Sequence, residues 1–336
     1  MQHGRLAILH IGGEKTGSTT LQTTFAANRS SLAGHGVLYS QVAGWQNHLG
    51  LALYATEGRG TEDLRAMAGL QDDAAFEAFL RDFPAELQAE AKASGARLIF
   101  YSNEHLASRI RDAEGVRRLW SLLGPIADEI RVLFYVRPQS ELVLSGWSTM
   151  LKSGAAEPFD LERLLRHGTP LDHAAVLDRW SGYFAEPYWI LRAYQRQAMA
   201  KADIVTDVMA CCDIPAEAVP QRIAPMNRSL DAETAEFLRL FNAVAGASSA
   251  GRGRLIQALE TVSNGPPLRL PPEMAEQVDA RFAEGNARLA RRLLRRETLF
   301  LPSPAEPGRL PALETEGAVR IAALLWRLAQ EMQGRS

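Results

Sequence analysis

The chain has 336 residues, 46% of them hydrophobic and 23% charged. That is enough apolar material for one large core or two ordinary ones, and it excludes a fibre, a disulfide-stapled miniprotein and a disordered chain. Lys plus Arg number 37 against 39 Asp plus Glu, a formal net charge of -2, so no overall basic field holds a nucleic-acid backbone and any anion site is local. Cys211 and Cys212 are adjacent, which offers no disulfide framework and fits a reducing compartment. No apolar stretch approaches the roughly 20 residues of a membrane helix, and the opening residues carry no export signal, so the expected setting is cytoplasmic with no integral membrane segment. Asn28-Arg29-Ser30 and Asn227-Arg228-Ser229 match the glycosylation pattern and, without an export signal, read as chance matches or helix caps.

In chain order, the apolar run from Leu6 to Ile11 ends at Gly12-Gly13 and leads through Ser18-Thr19-Thr20 into LQTTFAANRSSLA, a strand, a glycine turn and a helix. GVLYS at 36–40 reads as the next strand, a helical pattern starts near Asn47, and residues 76–95 form a long helical region with Pro84 near its start or at a break. ARLIFYS at 96–102 follows, and then RVLFYV at 131–136, whose nearly continuous apolar character suits a parallel strand buried on both faces. Pro138 opens a helix after it. YWILRAY at 188–194 is a fifth strand candidate before the helical DIVTDVMACC at 203–212. This alternation predicts an α/β fold: a mostly parallel central sheet with helices on both faces and ligands at the carboxyl ends of the strands. From Asp231 the pattern is helical alone, giving a helical C-terminal half. Pro302, Pro304, Pro307 and Pro311 mark a linker before a last helix, so residues 1–300 are expected to form the main domain and 301–336 the linker and terminal helix.

HIGGEKTGSTTLQ joins the first strand to the first helix, where backbone N–H groups and a helix N-terminus surround phosphate oxygens. Gly12, Gly13 and Gly17 permit tight turns, Lys15 supplies a cation, and Ser18 and Thr19 offer hydroxyls. An ATPase loop places its lysine after the last glycine, whereas Lys15 precedes Gly17, so that template is not met.

With these residues in view, the chain resembles the sulfotransferases that use 3'-phosphoadenosine 5'-phosphosulfate (PAPS), especially bacterial members acting on carbohydrate-like acceptors. LHIGGEKTGSTTLQ is similar to the family's 5'-phosphosulfate loop. The resemblance implies a P-loop-like sulfotransferase fold in which Lys15, Thr16, Gly17, Ser18 and Thr19 bind the donor, Lys15 also contacting the bridging oxygen. YVRPQSELVLSGW at 135–147 carries a second likeness: an arginine ending a core strand and a serine eight residues on, which in the family grip the 3'-phosphate, stand here as Arg137 and Ser145. A forked arginine contact and a neutral donor two helical turns along suit a phosphate. Three later stretches, at 189–215, 227–242 and 281–300, are also similar to the bacterial carbohydrate type. The Arg-Lys-Gly triplet with which many cytosolic members complete the 3'-phosphate site is missing; Arg252 and Arg254 are substitutes or plain helix-start residues.

The resemblance implies transfer of a sulfuryl group from PAPS to a hydroxyl of a carbohydrate or glycan-like acceptor, lipid-linked ones included, by direct in-line displacement, with adenosine 3',5'-bisphosphate as product and no metal required. Lys15 is the expected electrostatic catalyst. Three residues at ligand-facing points compete as the base: His105 and Glu104, after the 96–102 strand, and His48, at the helix opening after the second strand. His3, His10, His35, His167 and His173 show no metal-ligand spacing, so no catalytic zinc is expected. The cluster Arg288, Arg291, Arg292, Arg295 and Arg296 is a solvated basic face or a funnel for anions. Trp147 and Trp180 are core anchors or sugar-stacking platforms. A nucleotide-dependent kinase, which would need Mg²⁺ and an orienting carboxylate, and a non-catalytic nucleotide-binding protein are the competing functions.

Overall fold

A computed structural model describes residues 4–167, 171–224, 229–246, 251–302 and 308–333. His3, the Asn227-Arg228 pair, Pro304 and Pro307 lie outside the described residues. Five strands form where the apolar runs place them: β1 (Leu6–Gly12), β2 (Val37–Tyr39), β3 (Leu98–Ser102), β4 (Glu129–Val136) and β5 (Trp189–Ala193). Their order is β2-β3-β1-β4-β5 and every pairing is parallel. The α/β reading is therefore correct.

Alternation along the strands divides the core in two. Ala7, Leu9 and Ile11 of β1 share one face with Ile99 and Tyr101 of β3 and Val132, Phe134 and Val136 of β4, against residues of the helices Leu49–Thr56, Asp73–Ser94, Ala113–Leu123 and His173–Trp180. Ile8, Leu98, Phe100, Leu133 and Tyr135 take the other face with Leu21 and Phe25 of α1 (Ser18–Ala27), Leu32, and the Ile204–Cys211 helix. Each fully buried Leu, Ile or Phe contributes roughly 1.5–3 kcal/mol relative to exposure, so coverage of both faces explains why these strands read as continuous apolar runs.

The long helix departs from expectation at Pro84. It runs unbroken from Asp73 to Ser94 with Pro84 inside it. Asp72 caps its start by accepting the Ala75 N–H at 2.8 Å, and Gly95, at φ 60, ends it. The proline removes the N–H that would reach the Leu80 carbonyl, at a cost of about 3 kcal/mol. Burial of Phe76, Phe83, Leu87 and Ala91 on the core side offsets that cost. Asn28 has a structural place too: its amide bonds the Thr24 carbonyl and both main-chain groups of Gln221, and it is buried, so the first glycosylation match is a chance one.

The chain divides into two units. The first comprises Met1–Arg137, Asp172–Met226 and Glu284–Leu301 and contains the whole sheet. The second comprises Pro138–Leu171, Asn227–Ala283 and Pro302–Ser336. It has its own helical core, built from Leu142, Leu144, Trp147 and Leu151 of the Gln139–Lys152 helix with Leu238, Leu259, Val278 and Ile321. The helices expected after Asp231 are present at Ala232–Ala245, Arg252–Val262, Pro272–Leu289 and Thr315–Gln333. No described helix is long and apolar enough to cross a membrane.

In the first unit one buried ion pair ties β5 and β4 to the helix that covers them. The Asp207 carboxylate accepts from Tyr135 Oη at 2.6 Å, Arg192 Nε at 2.9 Å and the Ala200 N–H at 2.8 Å. Burial pushes the Asp207 carboxyl up, but hydrogen bonds from Arg192, Tyr135 and Ala200 and the Arg192 charge outweigh it and hold the group below its ordinary value. The stabilisation is therefore present above the ordinary carboxylate range and is lost as pH falls below it. Asp207→Ala is expected to cost about 3 kcal/mol at neutral pH, because it leaves Arg192 and Tyr135 without their acceptor. Urea unfolding monitored by circular dichroism measures it, and a loss below the scatter of a surface substitution contradicts the assignment.

Candidate active site

At the carboxyl end of β1 the pairing with β4 shifts between His10 and Gly12, and Gly12 turns out of the strand at φ 77. A Cβ on Gly12 would stand 2.6 Å from Glu104 Cα, so only glycine permits the contact between this turn and the end of β3. Gly13 donates to the Tyr135 carbonyl of β4 at 3.1 Å, and a Cβ there would lie 2.5 Å from that oxygen. Thr16 Oγ1 closes the turn on the Gly13 carbonyl at 2.6 Å. Between them Lys15 adopts a left-handed backbone, φ 63, which costs roughly 1–2 kcal/mol in a residue with a side chain and persists because both neighbours pin it. Gly17, also left-handed at φ 76, begins α1. The first N–H groups of that helix follow at Ser18, Thr19 and Thr20, which gives the turn the positive end of a helix dipole.

Arg137 follows β4 at the same edge. Its Nη1 donates to the Lys15 carbonyl at 3.3 Å, and its guanidinium lies 6.0 Å from the centre of the Tyr194 ring. Tyr194 in turn faces Gly17, where a Cβ would approach its hydroxyl to 3.0 Å. His173 Nε2 donates to the Arg137 carbonyl at 2.9 Å and fixes its backbone. The structure thus brings Lys15, Thr16, Gly17, Ser18, Thr19 and Arg137 together within the first unit. Ser145 lies in the second unit, half-buried on the Gln139–Lys152 helix, and its carbonyl accepts the Thr149 hydroxyl at 3.1 Å.

The end of β3 carries the other candidates. Glu104 lies under Gly12, and its Oε2 accepts from Gln22 Nε2 of α1 at 2.8 Å. The same amide donates to Ser102 Oγ at 3.2 Å, and Ser102 Oγ bonds His10 Nδ1 at 2.7 Å. Gln22, buried and one turn beyond Ser18 on the same face of α1, was missed as a site residue in the sequence; the four-residue spacing from Ser18 was the available signal. His105 follows at the start of the Leu106-containing short helix, its N–H held by Asn103 Oδ1 at 2.9 Å and its Nδ1 buried without a hydrogen-bond partner.

His48 is corrected from candidate base to structural residue. It is fully buried, its Nδ1 accepts the Ser102 N–H at 2.9 Å, and its Nε2 donates to the Ser40 carbonyl at 3.1 Å. Both ring nitrogens are therefore committed to the backbones of β3 and the segment after β2, and neither is open to a substrate proton. Trp147 and Trp180 are 2% and 0% exposed, core anchors rather than sugar platforms. Of the two readings of the arginine cluster the solvated one holds, since Arg288, Arg291, Arg295 and Arg296 are exposed, although the residues do not form a regular helical row. The helix changes to a π turn at Ala290–Leu294 and Arg295 is left-handed, so the even helical face does not form. Arg288 and Arg292 pair with Asp178 at 2.8 and 3.2 Å, Arg292 also with Glu186, and Arg291 with Glu297 at 3.6 Å. Arg252 bonds Asn242 Oδ1 and the Gly246 carbonyl, which gives it a helix-joining role in the second unit.

No family model matches the chain, and no curated protein matches it. Among solved structures, the crystal structure of a sulfotransferase from Alicyclobacillus acidocaldarius is similar to it, with 14% identity and a TM-score of 0.39 over 76% of this chain and 97% of that one.

Burial lowers the imidazole of His10 to about 3, and burial followed by the Arg29 charge lowers that of His48 to about 3 as well. Between that value and the ordinary 6.5 the unfolded chain binds protons that the folded chain does not, so stability falls as pH falls through this window. The expected slope is about 1.4 kcal/mol per pH unit for each histidine. Urea unfolding between pH 7 and 4.5 tests this with His48→Gln, which should remove one of the two increments; an unchanged slope contradicts it.

Proposed function

We propose that the chain is a PAPS-dependent sulfotransferase that moves a sulfuryl group to a hydroxyl of a saccharide or glycan-like acceptor by direct in-line displacement and releases adenosine 3',5'-bisphosphate. The observation that carries this reading is the hydrogen bond from the Arg137 guanidinium to the Lys15 carbonyl, which brings the Lys15 turn, Arg137 and the N-terminus of α1 to one sheet edge and supports binding of a phosphorylated nucleotide there. The order of glycines and lysine, unlike that of an ATPase loop, and the Arg137–Ser145 spacing add support from the sequence. A reducing, cytoplasmic setting belongs to the same reading and is supported by the free thiols of Cys211 and Cys212.

In this reading the Lys15 ammonium neutralises charge that grows on the departing phosphate, while Thr16 to Thr19 hold the 5' end by hydroxyls and backbone N–H groups. Arg137 holds the 3'-phosphate. Glu104 accepts the acceptor proton as the acceptor oxygen bonds to sulfur; the bond from sulfur to the bridging oxygen breaks, and its electron pair leaves with the 5'-phosphate. Glu104 is preferred to His105 because its carboxylate is held by Gln22 from the helix that starts at the donor loop, directly beneath Gly12. The positive charge needed comes from Lys15 and Arg137, so the step needs no metal.

Transfer is measured with PAPS and a panel of oligosaccharides in the presence of EDTA. Lys15→Ala is expected to lower transfer by roughly 10²–10³-fold with an unchanged circular dichroism spectrum, and undiminished transfer rejects the role of Lys15. Phosphoryl transfer from ATP that depends strictly on Mg²⁺ identifies a kinase instead, and nucleotide binding without consumption of PAPS identifies a binding protein. Glu104→Gln should reduce kcat by about 10²-fold or more while calorimetry shows unchanged affinity for adenosine 3',5'-bisphosphate. Retained turnover in Glu104→Gln with loss in His105→Ala transfers the base to His105.

A further inference from the structure

The segment between β2 and the Leu49–Thr56 helix presents an indole to solvent: Trp45 is 72% exposed. A lone exposed apolar residue is ordinary on a protein surface, but this one stands on an unusually well-tied loop. Arg29 donates to the carbonyls of Tyr39, Ser40, Gly44 and Trp45, with its guanidinium 5.2 Å from the Tyr39 ring centre and 4.9 Å from that of Trp45. Glu90 accepts from Ser40 Oγ and the N–H groups of Gln41 and Val42. Gln46 Nε2 reaches Thr23 Oγ1 of α1 at 2.6 Å, and Asn47 Oδ1 accepts from Asn103, the residue before Glu104, at 3.3 Å. The backbone that carries the indole is therefore held before any ligand arrives, with the Arg29 guanidinium against the ring, and the cost of ordering the loop on binding is reduced.

Its place in the sheet gives the indole a direction of use. β2 runs parallel to β3, so the Trp45 loop leaves the same edge as Glu104, and the order β2-β3-β1-β4 places it on the far side of the Lys15 turn from Arg137. In-line displacement requires the attacking oxygen to approach sulfur opposite the departing phosphate. With the nucleotide held on the β1–β4 side, the acceptor enters from the β3–β2 side, where Glu104 and Trp45 stand. The neighbours of Trp45 in its loop are Gly44, Gln46 and Asn47, an open polar surface rather than the enclosed apolar pocket that a flat aromatic acceptor needs. A pyranose ring fits this surface, with its C–H face on the indole and its hydroxyls toward amides and water.

We propose that Trp45 is the acceptor platform, on which a pyranose ring of the saccharide rests while its hydroxyl faces Glu104. The proposal rests on the sulfuryl-transfer reading and specifies the acceptor side of the same site. Wild type, Trp45→Ala and Trp45→Phe, each saturated with adenosine 3',5'-bisphosphate, are applied to an array of neutral and uronate-containing oligosaccharides, with nucleotide affinity measured separately by calorimetry. Expected are a loss of saccharide affinity of roughly 10- to 100-fold in Trp45→Ala, its retention within a few-fold in Trp45→Phe, and equal nucleotide affinity in all three. Equal saccharide binding by wild type and Trp45→Ala overturns the proposal, as does a wild type that binds the nucleotide and no saccharide. Failure of the wild type to bind the nucleotide is the distinct result that removes the underlying reading as well.

Discussion

The close approach of Gly12 to Glu104 is the constraint from which the site is built. Parallel pairing of β1 with β3 brings their carboxyl ends side by side, and the missing Cβ at Gly12 lets the end of β3 pass under the turn at 2.6 Å from where that atom would be. Gly13 does the same toward β4 through the Tyr135 carbonyl. The Lys15 turn is thereby seated on two strands at once, and its left-handed lysine is held by contacts rather than by its own preference. A side chain at either glycine would lift the turn from the sheet and separate Lys15 from Glu104.

Burial divides the polar residues of this edge into two kinds. His10 and His48 lie inside the sheet edge, neutral because burial penalises the charged imidazole, and they serve as connectors: His10 to Ser102, His48 to the backbones on either side. Glu104 and His105 are only half-buried. Between the two kinds stands Gln22, whose amide donates both to Ser102 and to Glu104. The position of the carboxylate is thus determined by a chain of neutral groups, which adds direction without adding a competing charge.

Much of the framework was legible along the chain. The five strands, the glycine turn, the helix after it and the helical segments beyond Asp231 all fell where apolar runs and turn residues indicated, because a strand covered on both faces leaves a local signature. Pro84 was expected near the start of its helix or at a break since local propensity disfavours an interior proline by about 3 kcal/mol, whereas Phe83 and Leu87 are held by a core assembled from distant segments. The arginine run at 288–296 is solvated, one of its two expected roles, but its partners were not legible for a related reason. Helical spacing assigns a common face to every fourth residue, but a π turn and the carboxylates of Asp178 and Glu186, more than a hundred residues earlier in the chain, decide where Arg288 and Arg292 go.

The sequence by itself determined which segments form strands, where the glycine-rich Lys15 turn lies and which cations stand at strand ends, since each depends on neighbours within a few residues. Tertiary structure alone decided that His48 spends both nitrogens on backbone, that Gln22 orients Glu104, and that Trp45 is exposed while Trp147 and Trp180 are not. Those outcomes are set by burial and by distant partners, such as Ser102, 54 residues from His48, and Glu104, 82 residues from Gln22. No periodicity along the chain encodes which of several distant groups a side chain will meet.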